Sequence, residues 1–234
     1  MDLKEADKLV WIFTEKLGKI SAVAKGAKKS RSKLLSLTLP FCYSNYIMFK
    51  GKSLYTISEG EIINSFQDFL NDLEGITYGS YLCELIDIAM VEEESNRELF
   101  KVFITCLYLM SNKAVEFDLL ARAFEVKLLE ATGYGLNLEN CCICKRKISS
   151  ANYINLQYSG GVCSECEKIN GLHVQYATYN TLKYLSKTNL ELICRLKLDN
   201  DVKEELCKVL ASFIAHNYSR VPKSLDILNY FEKE

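Results

Sequence analysis

The chain has 234 residues, of which 49% are hydrophobic and 25% charged, so it is globular in composition and long enough for one large domain or two small ones. No stretch approaches the run of about 20 apolar residues that a membrane-spanning helix needs. The start, Met1-Asp2-Leu3-Lys4-Glu5-Ala6-Asp7-Lys8, is too acidic and polar for a secretory signal, and a cytoplasmic protein is expected. The net charge of −1 hides an asymmetry: residues 1–66 carry 11 Lys/Arg against 6 Asp/Glu, whereas residues 67–132 carry 5 against 13. A basic first unit points to a polyanionic partner, the alternative being that the two units attract each other.

The first third reads as β. Residues 9–14 and 19–25 are short, rich in β-branched and aromatic side chains, and punctuated by Gly18 and Gly26. Residues 41–49 place Phe41, Tyr43, Ile47 and Phe49 on one face at period two, and residues 54–59 form a further strand after Lys50-Gly51-Lys52. Such short, glycine-punctuated strands predict a small barrel or sandwich.

Between the second and third runs, Lys25-Gly26-Ala27-Lys28-Lys29-Ser30-Arg31-Ser32-Lys33 holds five cations and no acid. Lys25, Lys28, Lys29, Arg31 and Lys33 are the candidate DNA-binding residues, because small residues between cations let the backbone approach phosphates and counterion release supplies affinity. A solvated charge run is the bland alternative. Trp11, Tyr43, Tyr46 and Tyr55 are the nearby aromatics that can stack on bases, although most aromatics in a small β unit belong to its core.

From about Phe66 the period changes to 3.6. Tyr78, Leu82, Leu85, Ile86 and Ala89 form one helical stripe, with Glu92-Glu93-Glu94 closing the segment. Leu99, Phe103, Cys106, Leu107 and Met110 form a second, and Phe117, Leu120, Ala121, Phe124 and Leu128 a third that ends at Gly133 as a C-cap. Val202, Leu206, Val209, Leu210 and Phe213 make a fourth.

The ten cysteines divide by spacing. Cys83, Cys106, Cys194 and Cys207 fall on apolar helical stretches and read as core, and Cys42 lies in a strand-like run. Cys141-x2-Cys144 and Cys163-x2-Cys166, separated by 18 residues, have the spacing of a closed four-thiolate zinc site. Each pair turns tightly enough to put two thiolates on one ion. Ile154, Leu156 and Tyr158 alternate between the pairs as a strand would, and Gly160-Gly161 gives a flexible approach. The module therefore reads as a zinc ribbon at about residues 138–170, with Lys145, Arg146, Lys147 and Lys168 placed to offset its charge. Cys142 is the odd member, since its spacing to Cys144 makes a poorer turn. The alternative is a redox pair or five buried cysteines. A closed site of four cysteines leaves no position for water, so the metal is structural. His173 and His216 have no paired-ligand spacing. No phosphate loop, nucleophile elbow or dinucleotide fingerprint is present, and no enzyme activity is expected.

Taken together these residues resemble the RecO family of bacterial recombination mediators. The similarity runs through Glu5-Ala6-Asp7-Lys8-Leu9-Val10, Leu17-Gly18-Lys19-Ile20-Ser21-Ala22-Val23-Ala24-Lys25-Gly26-Ala27 and Leu39-Pro40-Phe41-Cys42-Tyr43. It continues through Phe49-Lys50-Gly51-Lys52-Ser53-Leu54-Tyr55-Thr56, the cysteine pairs, and Lys223-Ser224-Leu225-Asp226-Ile227-Leu228. Leu39 before the Pro-Phe pair and Val221-Pro222 before the final Lys-Ser depart from the family pattern. The resemblance implies an α+β protein: an OB-fold nucleic-acid-binding barrel in residues 1–66, then a helical domain in residues 67–234 carrying the inserted ribbon with one structural Zn2+. It implies a mediator of DNA repair that binds single- and double-stranded DNA and anneals complementary strands. Acting with RecR, it helps load RecA onto strands coated by single-stranded DNA-binding protein, whose C-terminal tail is a further partner. A zinc-ribbon transcription or translation factor is the alternative. Family members open with a strand placed before the segment resembling Met1 to Lys8, so the barrel is expected to be one strand short.

Overall fold

A computed structural model of the chain describes residues 5–224 and residue 228. Residues 1–4, on which the missing-strand expectation turns, and residues 225–227 of the last matching stretch lie outside the described residues. The fold is mixed α+β, a sheet followed by a helical region into which a small cysteine-bearing sheet is inserted.

The four expected strands are present: β1 (Lys8–Thr14), β2 (Gly18–Ala24), β3 (Tyr43–Lys50) and β4 (Tyr55–Asn64). They form one sheet in the order β1-β2-β4-β3, with β2 and β4 parallel and the other pairs antiparallel. A closed barrel was expected; among the described residues the sheet is open, with β1 and β3 as its edges. It nevertheless curls. Phe13 at the end of β1 and Tyr43 at the start of β3 both meet the ring of Phe100, at 5.6 and 6.1 Å between centroids.

Alternation puts Ile20, Ala22, Ala24, Tyr55 and Ile57 on the inner face, where they form a small core with Ala27. Val10, Ile12, Tyr46 and Met48 pack against it. Ile47 and Phe49 share a face of the third strand as expected, and it is the outer one. Plain alternation along β3 turns Tyr46 and Met48 inward and leaves Ile47 57% and Phe49 64% exposed, while the register shifts place their extra residues, Ser58 and Ile63, on β4. Phe41 lies outside the strand, with φ of 60° and its ring against Phe69. Between β2 and β3 a single turn of helix, α1 (Leu34–Leu37), buries Leu37.

Helices α2 (Leu73–Ala89), α3 (Arg97–Ser111) and α4 (Phe117–Ala131) carry the three expected stripes into the main core. Asp72 and Asn96 cap the first two through the N–H groups of Glu74 and Leu99. Gly133 ends α4 as expected: φ is +86°, Tyr134 N–H donates to Leu129 O at 2.8 Å and Gly133 N–H to Glu130 O at 3.2 Å, the paired bonds of a Schellman end. The fourth stripe is on α6 (Asn200–Asn217), and α5 (Tyr176–Lys187) was not anticipated. Cys106 and Cys207 are core residues, but Cys83 and Cys194 are exposed, which corrects their assignment. Both sit at helical positions turned away from the stripe.

Helix α4 also buries a charge. Arg122 is 1% exposed, paired with Asp118 at 3.2 Å and with Glu125 at 3.0 Å, while Tyr81 of α2 donates its hydroxyl to Glu125. Removing one partner strands the other charge in the core. Glu125→Ala should therefore cost roughly 3–5 kcal/mol in urea unfolding, whereas Glu130→Ala, in the surface pair with Lys127, should change stability by less than about 1 kcal/mol.

The sheet is tied to α2 by Lys19, whose ammonium donates to the Asp87 carbonyl at 2.7 Å and carboxylate at 3.0 Å; Arg220 reaches the same carboxylate at 3.0 Å. Burial alone would raise the Asp87 carboxyl, but Lys19 and then Arg220 hold it below the usual value. A depressed carboxylate contributes stability above its unfolded pKa of about 3.9 and loses it as pH falls through the folded value. The junction should thus be unchanged between pH 8 and pH 5 and loosen below about pH 4. Emission from Trp11, the chain's one tryptophan, reports this; a change already complete at pH 6 would contradict it.

Candidate metal centre and nucleic-acid interface

The cysteine module is a three-stranded sheet, β6 (Gly160–Gly161), β5 (Tyr153–Asn155) and β7 (Gly171–His173), in that order. The expected alternation of Ile154, Leu156 and Tyr158 is not realised: β5 stops at Asn155, all three of its residues are buried, and Tyr158 is exposed. The reading of Gly160-Gly161 as a flexible approach is also corrected. A Cβ on Gly161 would collide with the Tyr179 hydroxyl, which donates to Leu138 O at 3.0 Å, and one on Gly160 would lie 2.7 Å from Asn137 O. The glycines allow α5 and the 137–142 segment to close on the ribbon.

That closure positions the thiols. The 139–148 segment folds back on itself, with Cys141 N–H donating to Arg146 O and Lys145 N–H to Cys141 O, at 2.8 and 2.9 Å. Cys142 N–H donates to Gly161 O at 2.9 Å, docking this knuckle beside the second pair. The sulfur atoms of Cys141, Cys144, Cys163 and Cys166 all lie within 4.8 Å of one another, and those of Cys144 and Cys163 are 3.7 Å apart. A tetrahedral thiolate site with metal–sulfur bonds of about 2.3 Å needs sulfurs roughly 3.8 Å apart. The four expected residues therefore form a cluster that can hold a metal ion. Cys142 points elsewhere, with its thiol 3.6 Å from Gly160 O and its side chain in a small core with Tyr153 and Val162.

Electrostatics prepare the cluster unevenly. Burial opposes ionisation of Cys141, yet N–H groups of Cys163, Cys144 and Ile143 bring its thiol down to about 6. Cys144 is lowered by the Arg146 N–H, while Cys166 is pushed up to about 12, first by its hydrogen bond to Cys163. Four thiols this close cannot all ionise without a cation among them. Of the flanking cations, Arg146 pairs with Glu165 at 2.6 Å, Lys145 donates to Cys142 O and Lys168 to Asn152. His173 stacks edge-on against Tyr153 at 5.0 Å and, like His216, stands apart from the cluster.

The basic loop leaves the top of β2. Gly26 (φ +66°) gives its N–H to Asp7 at 2.8 Å, Lys28 N–H goes to Ala6 O at 3.1 Å, and buried Ala27 anchors the turn in the β core. Lys25, Lys29, Arg31 and Lys33 are exposed and Lys28 is half-buried. Of the four candidate aromatics only Trp11 is open, at 55%. Tyr55 is in the core, Tyr46 donates to Leu37 O at 2.8 Å, and Tyr43 packs on Phe100. Phe49 of β3 is open as well, at 64%. Leu9, Val23, Thr56 and Phe49 stand in register straight across the four strands, on the outer face that also carries Trp11.

A basic, curled sheet on a helical core, with a four-cysteine module inserted, defines an α+β protein with a cluster of thiols that can hold a metal ion. Its sequence agrees with one family throughout. Residues 1–66 match the model for the recombination protein O N terminal and residues 70–226 that for the recombination protein O C terminal. The chain is 57% identical over 232 residues to the DNA repair protein RecO of Clostridium perfringens (strain 13 / Type A), covering 99% of this chain and 94% of that one. It is 53% identical over 233 residues to that of Clostridium acetobutylicum, covering 100% and 94%, and 34% identical over 219 residues to that of Alkaliphilus metalliredigens, covering 93% and 89%. The chain belongs to the RecO family, a family of DNA repair and recombination proteins. Among the described residues no helix is long and apolar enough to cross a membrane.

Metal analysis of purified protein should find one ion per chain. Cys163→Ser should lose it and lower the melting temperature, while Cys142→Ser should keep it. A metal-free wild-type protein with four freely reactive thiols would rule the site out.

Proposed function

We propose that the chain is a recombination mediator that binds DNA through the outer face of its sheet and the loop from Lys25 to Lys33, and that carries one structural zinc. The observation that carries the reading is the union on one small unit of an exposed cationic loop with an in-register apolar row beside Trp11. Cations bind phosphates without regard to sequence, and an exposed indole or phenyl ring stacks on any base. The sheet is best understood as an OB-type unit, supported by its curl towards Phe100, with residues 1–66 as the DNA-binding unit and residues 67–234 as its helical platform.

Zinc is the ion that four thiolates in a closed tetrahedron favour, and its role is to fold the ribbon. Annealing of complementary strands follows from weak, sequence-neutral contacts that hold two strands and release the duplex. Loading RecA together with RecR, and docking of the C-terminal tail of single-stranded DNA-binding protein, are the partner functions that family membership suggests. A zinc-ribbon transcription or translation factor would instead prefer one sequence.

Charge reversal of Lys28, Lys29 and Arg31 to Glu should weaken binding to all sequences alike and flatten its salt dependence, because phosphate contacts carry no base information. Binding should also quench Trp11 emission. Annealing of unrelated complementary oligonucleotides without ATP tests the function itself. Unaltered binding by a stable triple variant would remove the loop from the interface.

A further inference from the structure

A second cationic site lies beside the N-terminal half of β2, away from the basic loop that leaves its C-terminal end. Strand β4 begins only at Tyr55, so the N-terminal half of β2 has no β4 neighbour. The connection between α2 and α3 takes that place: Glu92 bridges Lys19 in the parallel sense, and Glu93 N–H donates to Lys19 O at 2.9 Å. The strap is seated firmly. Gly18, at φ +68°, leaves no room for a Cβ against Glu94, and Glu93 itself is held at φ +61°. Where the strap meets the start of β4 there is a groove of about 320 Å³, lined by Ser21, Lys50, Lys52, Tyr55, Glu92 and Glu93.

The groove offers an anion two lysines and a hydroxyl, and sets two carboxylates against it. Lys50 and Lys52 flank the tight turn closed by Gly51 N–H to Leu54 O at 2.9 Å, the Lys50 ammonium stands 5.5 Å from the Tyr55 ring centre, and Ser53 adds a hydroxyl. Glu92 accepts from the Ser21 hydroxyl at 3.4 Å, and the Glu93 carboxylate occupies the Lys50 ammonium at 2.7 Å. Backbone bonds fix the strap, but the two side chains that meet there are 59% and 49% exposed, so the carboxylate can swing away without unseating the chain. Phe49 ends the row on the outer face, whereas Lys50, the next residue and the partner of Tyr55, leaves the strand on the inner side, so the groove lies at the rim between the two faces.

We propose that this groove is a second phosphate-contact site for a DNA strand crossing the sheet, and that Glu93 gates it by competing with phosphate for Lys50. The proposal rests on the DNA-binding reading above. A strand held at the basic loop and crossing the outer face turns over the rim of the sheet beyond Phe49 and meets Lys50 and Lys52 there. Glu93 sets a threshold: a lone phosphate or a weakly held strand does not displace it, and a strand already bound at the loop does.

The test uses the full chain and two fluorescent probes, a single-stranded oligothymidylate and a duplex of mixed sequence, titrated at several salt concentrations. Glu93→Gln should tighten binding about two- to fivefold at low salt, the range that releasing an exposed ion pair allows. The plot of log affinity against log salt should steepen by about 0.7–0.9, the increment for one more phosphate. Glu98→Gln, which removes an acid from the exposed start of α3, should give less. In a Lys50→Gln background Glu93→Gln should gain nothing. Equal effects of the Glu93 and Glu98 variants, or a gain that survives loss of Lys50, would overturn the gate while leaving DNA binding intact. A Glu93 variant that melts several degrees lower and binds no tighter would make the pair a structural clamp and also overturn it. If the wild-type chain binds neither probe, the DNA-binding reading fails, and the gate with it.

Discussion

Arg122 sits at the centre of α4 with no access to solvent, and the packing around it follows from the need to keep its charge compensated. The guanidinium can remain buried only while Asp118, Glu125 and Tyr81 surround it, and Tyr81 belongs to a different helix. The cluster thereby fixes the rotation of α4 against α2. With that rotation set, Phe124 meets Phe103 of α3, and Phe117 meets Tyr78. The apolar stripes alone tolerate sliding by a turn. A buried ion cluster does not, because a shifted helix would leave charges unpaired in the core.

The two β units depend on this core. The sheet's own interior amounts to six buried side chains, all but Tyr55 being isoleucine or alanine, which is too little to offset the entropy of ordering about sixty residues. It gains the rest at Phe13, Tyr43 and Phe41, whose rings lie on α3 and the segment before α2, and at the Lys19–Asp87 contact. The ribbon has an even smaller interior, Cys141, Cys142, Tyr153 and Val162, and leans on Tyr179 of α5. Coordination of a metal by the four clustered cysteines would add stability to a unit of that size.

Much of this was legible from the residues, and the failures have physical causes. The helical stripes were readable because a one-sided burial pattern repeats every 3.6 residues, and Gly133 because a left-handed helix end has a steric preference for glycine. The four cysteines were readable because a tetrahedron constrains spacing so strongly. The period of β3 is readable but not which of its faces turns inward, since Tyr43, Ile47 and Phe49 are as apolar as Tyr46 and Met48; only the pairing with the rest of the sheet puts Ile47 and Phe49 outside. Nor could Arg122 be told from a surface arginine, because its partners Asp118 and Glu125 are the i−4 and i+3 residues that an exposed helix also uses. Helix α5 was missed because tyrosine, threonine and asparagine fill its sequence, Tyr176-Ala177-Thr178-Tyr179-Asn180-Thr181, and tertiary contact with the ribbon overrides their weak helical preference. The glycine pair was seen, but its purpose depends on Tyr179, a residue distant in sequence.

The same division explains why the proposed binding surface lies on the less self-sufficient unit. A surface that must accept any sequence and then release the product duplex has no use for deep, shape-matched pockets, which would favour particular bases. It needs charge and exposed rings on a frame that neither folds around its ligand nor requires it. Exposed apolar side chains such as Trp11, Ile47 and Phe49 would carry an aggregation hazard on an isolated sheet. Here Phe13, Tyr43 and Lys19, on that same face, tie the sheet to Phe100 and Asp87, so Trp11, Ile47 and Phe49 stay open on a unit whose stability is supplied by the helical core. The acidic strap completes the arrangement. Its backbone fills the place beside β2 that β4 leaves open, while its carboxylates confront the lysines at the sheet's lower end. One segment thus closes a gap in the sheet and sets the charge of the surface above it, which links the joining of the two units to the binding properties of the first.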